Sequence, residues 1–101
     1  MPYRVVFTPE AVSHLSALYD RVEADKSAAV ASRYTESILG FCEGLSTFPH
    51  RGIAREDIRP GLRITNYRKN TVIAFSVMHD VVAIIGLFYG GRDYEVALKD
   101  G

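Results

Sequence analysis

Leu62 to Tyr89 reads LRITNYRKNTVIAFSVMHDVVAIIGLFY, and its punctuation decides the fold. Three runs, Leu62–Tyr67, Thr71–Met78 and Val81–Tyr89, are rich in β-branched and aromatic residues, which fit a pleated, half-buried surface. Arg68-Lys69-Asn70 and His79-Asp80 part them, and gaps that short join antiparallel strands. The last run, VVAIIGLFY, is apolar on both faces, so a central strand covered on both sides is expected. Gly90-Gly91 stops it.

Upstream the period changes. Tyr3–Phe7 (YRVVF) reads as a short strand. Thr8-Pro9-Glu10 then marks a helix start: Thr8 can cap a free N–H, Pro9 has the preset φ of a first helical position, and Glu10 suits the positive dipole end. Ala11, Leu15, Leu18 and Val22 follow as one apolar stripe. Glu23 to Lys26 reads as a polar break with Asp25 as the next cap. A second helix follows, with Val30, Tyr34, Ile38, Phe41 and Leu45 on one face and Pro49 and Gly52 marking its end. Two helices so closely joined form an antiparallel hairpin. Arg92 to Gly101 is a tail with room for a final helical turn. The expected fold is therefore α+β, one domain over residues 1–101 in the order β-α-α-β-β-β. Its N-terminal helical hairpin packs on a mainly antiparallel four-stranded sheet.

A chain of 101 residues can bury one core. Apolar residues make up 48% and charged residues 24%, the balance of a globular chain rather than a disordered one. No apolar run approaches the roughly 18 residues of a membrane span, so no membrane partner is expected. MPYRVVFTPE holds no long apolar stretch and no small-residue cleavage site, and a cytoplasmic protein is expected. Cys42, the single cysteine, excludes an internal disulfide and lies on an apolar helical face, where a plain core residue is expected. Phosphate-loop glycines, paired-cysteine spacing and HExxH are all missing, so neither metal nor cofactor is expected. His14 reads as an ordinary half-buried helix residue and His79 as a turn residue. His50 is a lesser candidate for function because it adjoins a basic stretch.

The formal net charge of zero hides a segregation. Residues 50–69 carry Arg51, Arg55, Arg59, Arg63, Arg68 and Lys69 against Glu56 and Asp57, a local +4, while the flanking segments carry −2 each. Such clustering points to an anion-facing surface. The plainer reading, a solvated loop with surface ion pairs, stands beside it for Arg55, Arg59 and Arg68. Arg63 differs because it alternates with Leu62 and Ile64 on a strand, where a guanidinium can be held rigidly to grip carboxylate or phosphate with paired hydrogen bonds. Arg92 follows the last strand after two glycines, and Tyr94 adds a ring and a hydroxyl. If the strands form a meander, Arg63, Arg92 and Tyr94 converge at one sheet edge.

The element order, the run FPHRGIAREDIRPGLR (Phe48–Arg63), the strand NTVIAFSV (Asn70–Val77) and the end GLFYGGRDYE (Gly86–Glu95) together resemble the RelE/ParE superfamily. Its members are toxins of bacterial type II toxin–antitoxin pairs, also known as plasmid-stabilisation proteins. The resemblance covers nearly the whole chain, through short motifs whose order and spacing carry it.

Two activities in that superfamily imply different chemistry. RelE-like members cut mRNA in the ribosome, which needs a group to activate the 2′-hydroxyl, cations for the phosphorane charge and an acid for the leaving oxygen. Carried over, Arg63, Arg92 and Tyr94 would be the catalytic candidates, yet the stretch before Arg63 has no lysine and an ordinary tyrosine is a poor base at neutral pH. ParE-like members instead inhibit DNA gyrase, and the wording FPHRG…RPGLR is closer to theirs. The resemblance thus implies a toxin neutralised by a cognate antitoxin and directed at gyrase. Arg51, Arg55, Arg59, Arg63 and Arg92 would face the anionic target. A ribosome-dependent mRNA endonuclease and a non-toxic antitoxin-binding module are the alternatives. Family antitoxins fold as they wrap the toxin, and Tyr19, Tyr34, Phe41 and Arg63 are the expected antitoxin contacts.

Overall fold

The computed structural model describes residues 2–90 and 93–100. Strand β1 (Arg4–Phe7) leads into helix α1 (Pro9–Asp25) and helix α2 (Ala28–Glu43), which a 3-10 turn at Gly44–Ser46 closes. Strands β2 (Ile53–Ala54), β3 (Leu62–Tyr67), β4 (Thr71–Met78) and β5 (Val81–Tyr89) follow, and then helix α3 (Tyr94–Asp100). The sheet runs β1-β5-β4-β3-β2, with β1 parallel to β5 and the other pairs antiparallel.

The α+β architecture and helical hairpin stand as expected, but the sheet has five strands rather than four. The extra strand, β2, pairs Ile53 with Ile64 and Ala54 with Arg63. Two residues are too few to show the alternation by which a strand is read. The helix starts follow local chemistry. Thr8 Oγ1 accepts the Ala11 N–H at 3.2 Å, with Pro9 in the first turn. The second cap is Ser27, whose Oγ accepts the Val30 N–H at 3.2 Å. Asp25 instead ends α1 in an exposed pair with Arg21, one turn earlier. Glutamate, alanine and aspartate all tolerate helix, so the break falls only at Lys26–Ser27.

Burial corrects the axis of α2. Its most enclosed residues are Ala31, Thr35, Ile38 and Cys42, while Val30, Tyr34 and Phe41 flank them half-buried. Ile38, Phe75, Ile84 and Leu45 are wholly buried in the main core, between the hairpin and one sheet face. Each such side chain contributes about 1.5–3 kcal/mol by leaving water. The thiol of Cys42 lies fully inside this core, and burial, with a smaller push from Glu43, raises its pKa to about 12. It is a core residue, not a nucleophile.

Strand β5 is internal, between β1 and β4, and both its faces are covered. Its pairing with β4 jumps between Ala74 and Phe75, which oppose Gly86 and Ile84, so Ile85 is the bulged residue. The bulge shifts the alternation: Val82, Ile84 and Leu87 join the main core, whereas Ile85 and Phe88 face a second cluster. That cluster, Leu62, Ile64, Ala74, Phe88 and Leu98, lies under α3.

Candidate functional site

The basic stretch forms a network whose principal contacts are internal. Arg55 follows β2, and its guanidinium takes both oxygens of Asp57, Nε to Oδ1 at 3.0 Å and Nη2 to Oδ2 at 2.9 Å. The remaining donors reach α3: Nη1 donates to the Tyr94 hydroxyl at 2.9 Å, and Nη2 pairs with Glu95. The Arg55 side chain is only 19% exposed. Its hydrogen bonds hold the Asp57 carboxyl below the usual aspartate range, against a smaller opposing effect of desolvation. Arg59 adds Nη2 to the Leu98 carbonyl at 2.7 Å. Arg55 and Arg59 thus hold both ends of α3 against the loop before β3.

Arg63 is engaged by the segment that leads into β2. Its Nη2 donates to the His50 carbonyl at 2.7 Å and its Nε to the Arg51 carbonyl at 3.1 Å, with the Gly52 carbonyl at 3.4 Å. Gly52 lets the chain come so close. It has φ +72°, and a Cβ there would sit 2.1 Å from the Ile64 carbonyl oxygen. Leu62 and Ile64 face the second cluster, so Arg63 between them projects from the opposite face. Tyr94 packs against that second cluster. Arg63 and Tyr94 are therefore not brought together, and Arg92 lies outside the described residues. Of the anticipated convergence, the described pair Arg63 and Tyr94 does not meet; Tyr94 meets Arg55 instead.

Arg51 is exposed, with its guanidinium carbon 5.0 Å from the centroid of the Phe41 ring. With Thr47, Phe48, Pro49 and His50 it lines an open cleft of about 580 Å³. Phe48, an apolar side chain, is 67% exposed there. His14 is half-buried, and its Nδ1 accepts the Leu87 N–H at 3.1 Å. His79 takes φ 55° in the β4–β5 turn.

The hairpin aromatics group by element. Tyr34 and Phe41 both meet the Tyr67 ring edge-on, at 5.8 and 5.3 Å, and Tyr34 also meets Tyr89 at 6.1 Å. The Tyr34 hydroxyl bonds to the Thr71 hydroxyl at 2.9 Å. Tyr19, on α1, packs half-buried against the same core. Among the described residues no group of three His, Cys, Asp or Glu side chains could hold a metal, and no helix is long and apolar enough to cross a membrane.

This hairpin-on-sheet arrangement agrees with the outcome of comparison. The sequence model of the ParE toxin of the type II parDE toxin–antitoxin system matches residues 5–94. The chain belongs to the ParE toxin family. Its fold is shared with a chain of the chromosomal ParDE toxin–antitoxin system from P. aeruginosa, at TM-score 0.75 and 19% identity over 86% of this chain and 95% of that one. It is shared too with a chain of the toxin–antitoxin complex RelBE2 from Mycobacterium tuberculosis, at TM-score 0.63 and 23% identity over 88% and 99%. No curated protein matches the chain. Within this ParE family member, the ion pair of Arg55 with Asp57 follows the plainer sequence reading, whereas Glu95 as a second partner of Arg55 was missed. Its opposite charge was visible, but the forty residues between 55 and 95 gave no sign that the two meet.

Proposed function

We propose that this ParE family member is the toxin of a toxin–antitoxin pair, that it acts on DNA gyrase, and that a cognate antitoxin neutralises it. The match of the ParE toxin model to residues 5–94 carries the reading. The geometry adds support. RNA cleavage by the candidate residues would need the Arg63 guanidinium and the Tyr94 hydroxyl free around one phosphate. Here the first holds backbone carbonyls and the second accepts from Arg55. Exposed Arg51, beside the cleft at Phe48, is the cation of the basic stretch proposed to meet an anionic target; Arg92 stays a candidate on sequence resemblance alone. Tyr19, Tyr34 and Phe41, half-buried along the hairpin, are the proposed antitoxin contacts, where an amphipathic segment would gain apolar area.

The test combines growth with a purified reaction. Expression of the chain alone should arrest growth, and co-expression of the antitoxin should restore it. Purified protein added to gyrase and supercoiled plasmid should accumulate cleaved DNA. Intact plasmid together with codon-phased cuts in a ribosomal extract would replace this reading with the endonuclease. Tight antitoxin binding without any arrest would leave a non-toxic binding module.

A further inference from the structure

We propose that the cleft between α2 and the β3–β4 turn is a binding site for a phosphate group. It has a volume of about 320 Å³ and is lined by Val30, Arg33, Tyr34, Ser37 and Arg68. The four α2 residues follow i, i+3, i+4, i+7 spacing, so they form one continuous helical wall. Arg68 supplies the opposite wall from the turn. Two guanidinium-bearing residues thus line one small cleft, and no carboxylate lines it. Among the described residues neither arginine forms an ion pair. Two cationic side chains lining one cleft without a carboxylate favour an anion there.

The walls are set in advance. Arg68 lies over the Tyr67 ring, its guanidinium carbon 5.1 Å from the centroid. The Tyr34 hydroxyl is fixed by Thr71, which is buried, and Ser37 brings a further hydroxyl. Arg68 also has φ 55°, a region where an L side chain is strained and glycine is not. A phosphate matches the arrangement better than a carboxylate does. Its several oxygens can accept from two guanidinium forks on different sides, whereas one fork already satisfies a carboxylate. The phosphate can belong to a free nucleotide or to a nucleic-acid backbone, and the inference holds whether or not gyrase is the target.

Arginine Nε–H signals of the full-length protein, followed by NMR, should report the site. Titration with inorganic phosphate should shift the Arg33 and Arg68 signals saturably, and acetate should do so at least tenfold more weakly. R33Q should weaken phosphate at least tenfold, while K26Q, at the exposed end of α1, should leave it unchanged. R68G removes the guanidinium while relieving the turn. It should keep the parent's thermal midpoint or raise it, yet bind phosphate at least tenfold more weakly. A nucleoside monophosphate and a short single-stranded oligonucleotide distinguish the sources. Tighter, steeply salt-dependent binding of the oligonucleotide assigns the site to a nucleic-acid backbone, and equal binding assigns it to free phosphates. Non-saturating shifts, equal response to acetate, or unchanged phosphate binding in a folded R68G would overturn the proposal.

Discussion

Ile38, Phe75 and Ile84 are wholly buried where the helical hairpin covers one face of the sheet, while across the sheet Phe88, and Leu98 of the seven-residue α3 that covers it, keep 6% of their surface exposed. The hairpin face is closed mainly by apolar area, with the Tyr34–Thr71 hydroxyl pair and, among the described residues, no ion pair across it. The α3 face has a smaller cluster, and its cover is tied by Arg55 to Tyr94 and Glu95 and by Arg59 to the Leu98 carbonyl. A helix of that length is marginal on its own in water. The lesson is that arginines clustered in a sequence can serve as internal braces where apolar area is scarce.

Paired truncations test this contrast most severely. Ile38→Ala should fall near the upper end of the about 2–5 kcal/mol typical for such changes, because its rigid surroundings cannot collapse into the gap. Leu98→Ala should fall near about 2 kcal/mol or below, since α3 can resettle. Urea denaturation measures both, and equal losses would break the contrast. Next comes Gly52→Ala, where the new methyl meets the Ile64 carbonyl and the β2–β3 pairing must part. A loss of about 1–3 kcal/mol is expected, as for other overpacked sites, with amide signals of β2 and β3 moving most.

A subtler effect is the pH response of the brace. Arg55 depresses the folded-state pKa of Asp57 below its unfolded value. The stabilisation is therefore present above the ordinary aspartate pKa of about 3.9 and is lost as pH falls through the lower, folded value. Docking of α3, followed by the Tyr94 environment, should stay flat from neutral pH down to that range and weaken beneath it. In Asp57→Asn the acid-side change should shrink; an identical acid response in that variant would place the titration elsewhere.

Much of this fold was legible because it is written locally. Thr8-Pro9 starts a helix through its own dihedrals and cap, and the turns at 68–70 and 79–80 separate runs plainly rich in β-branched and aromatic residues. What escaped was non-local or too short. β2 has only two residues, Asp25 lost its capping role to Ser27, and the bulge at Ile85 hides inside an apolar run. The candidate site was less legible still. Arg63 was recognised as rigidly held, but its partners are carbonyls at 50–52, and a backbone acceptor leaves no trace in residue identity. Arg55 looked like a surface ion pair with Asp57, and that pair exists. Its link to α3 depends on how the chain end folds back, which charge patterns alone do not specify.

Hydrogen exchange at the α3 amides of Arg55→Ala, compared with the parent protein, tests the brace most directly. Protection across Tyr94–Asp100 should drop sharply while the amides of β4 and β5 keep theirs. Retained α3 protection in that variant would contradict the account, and so would an equal loss of protection through the whole sheet.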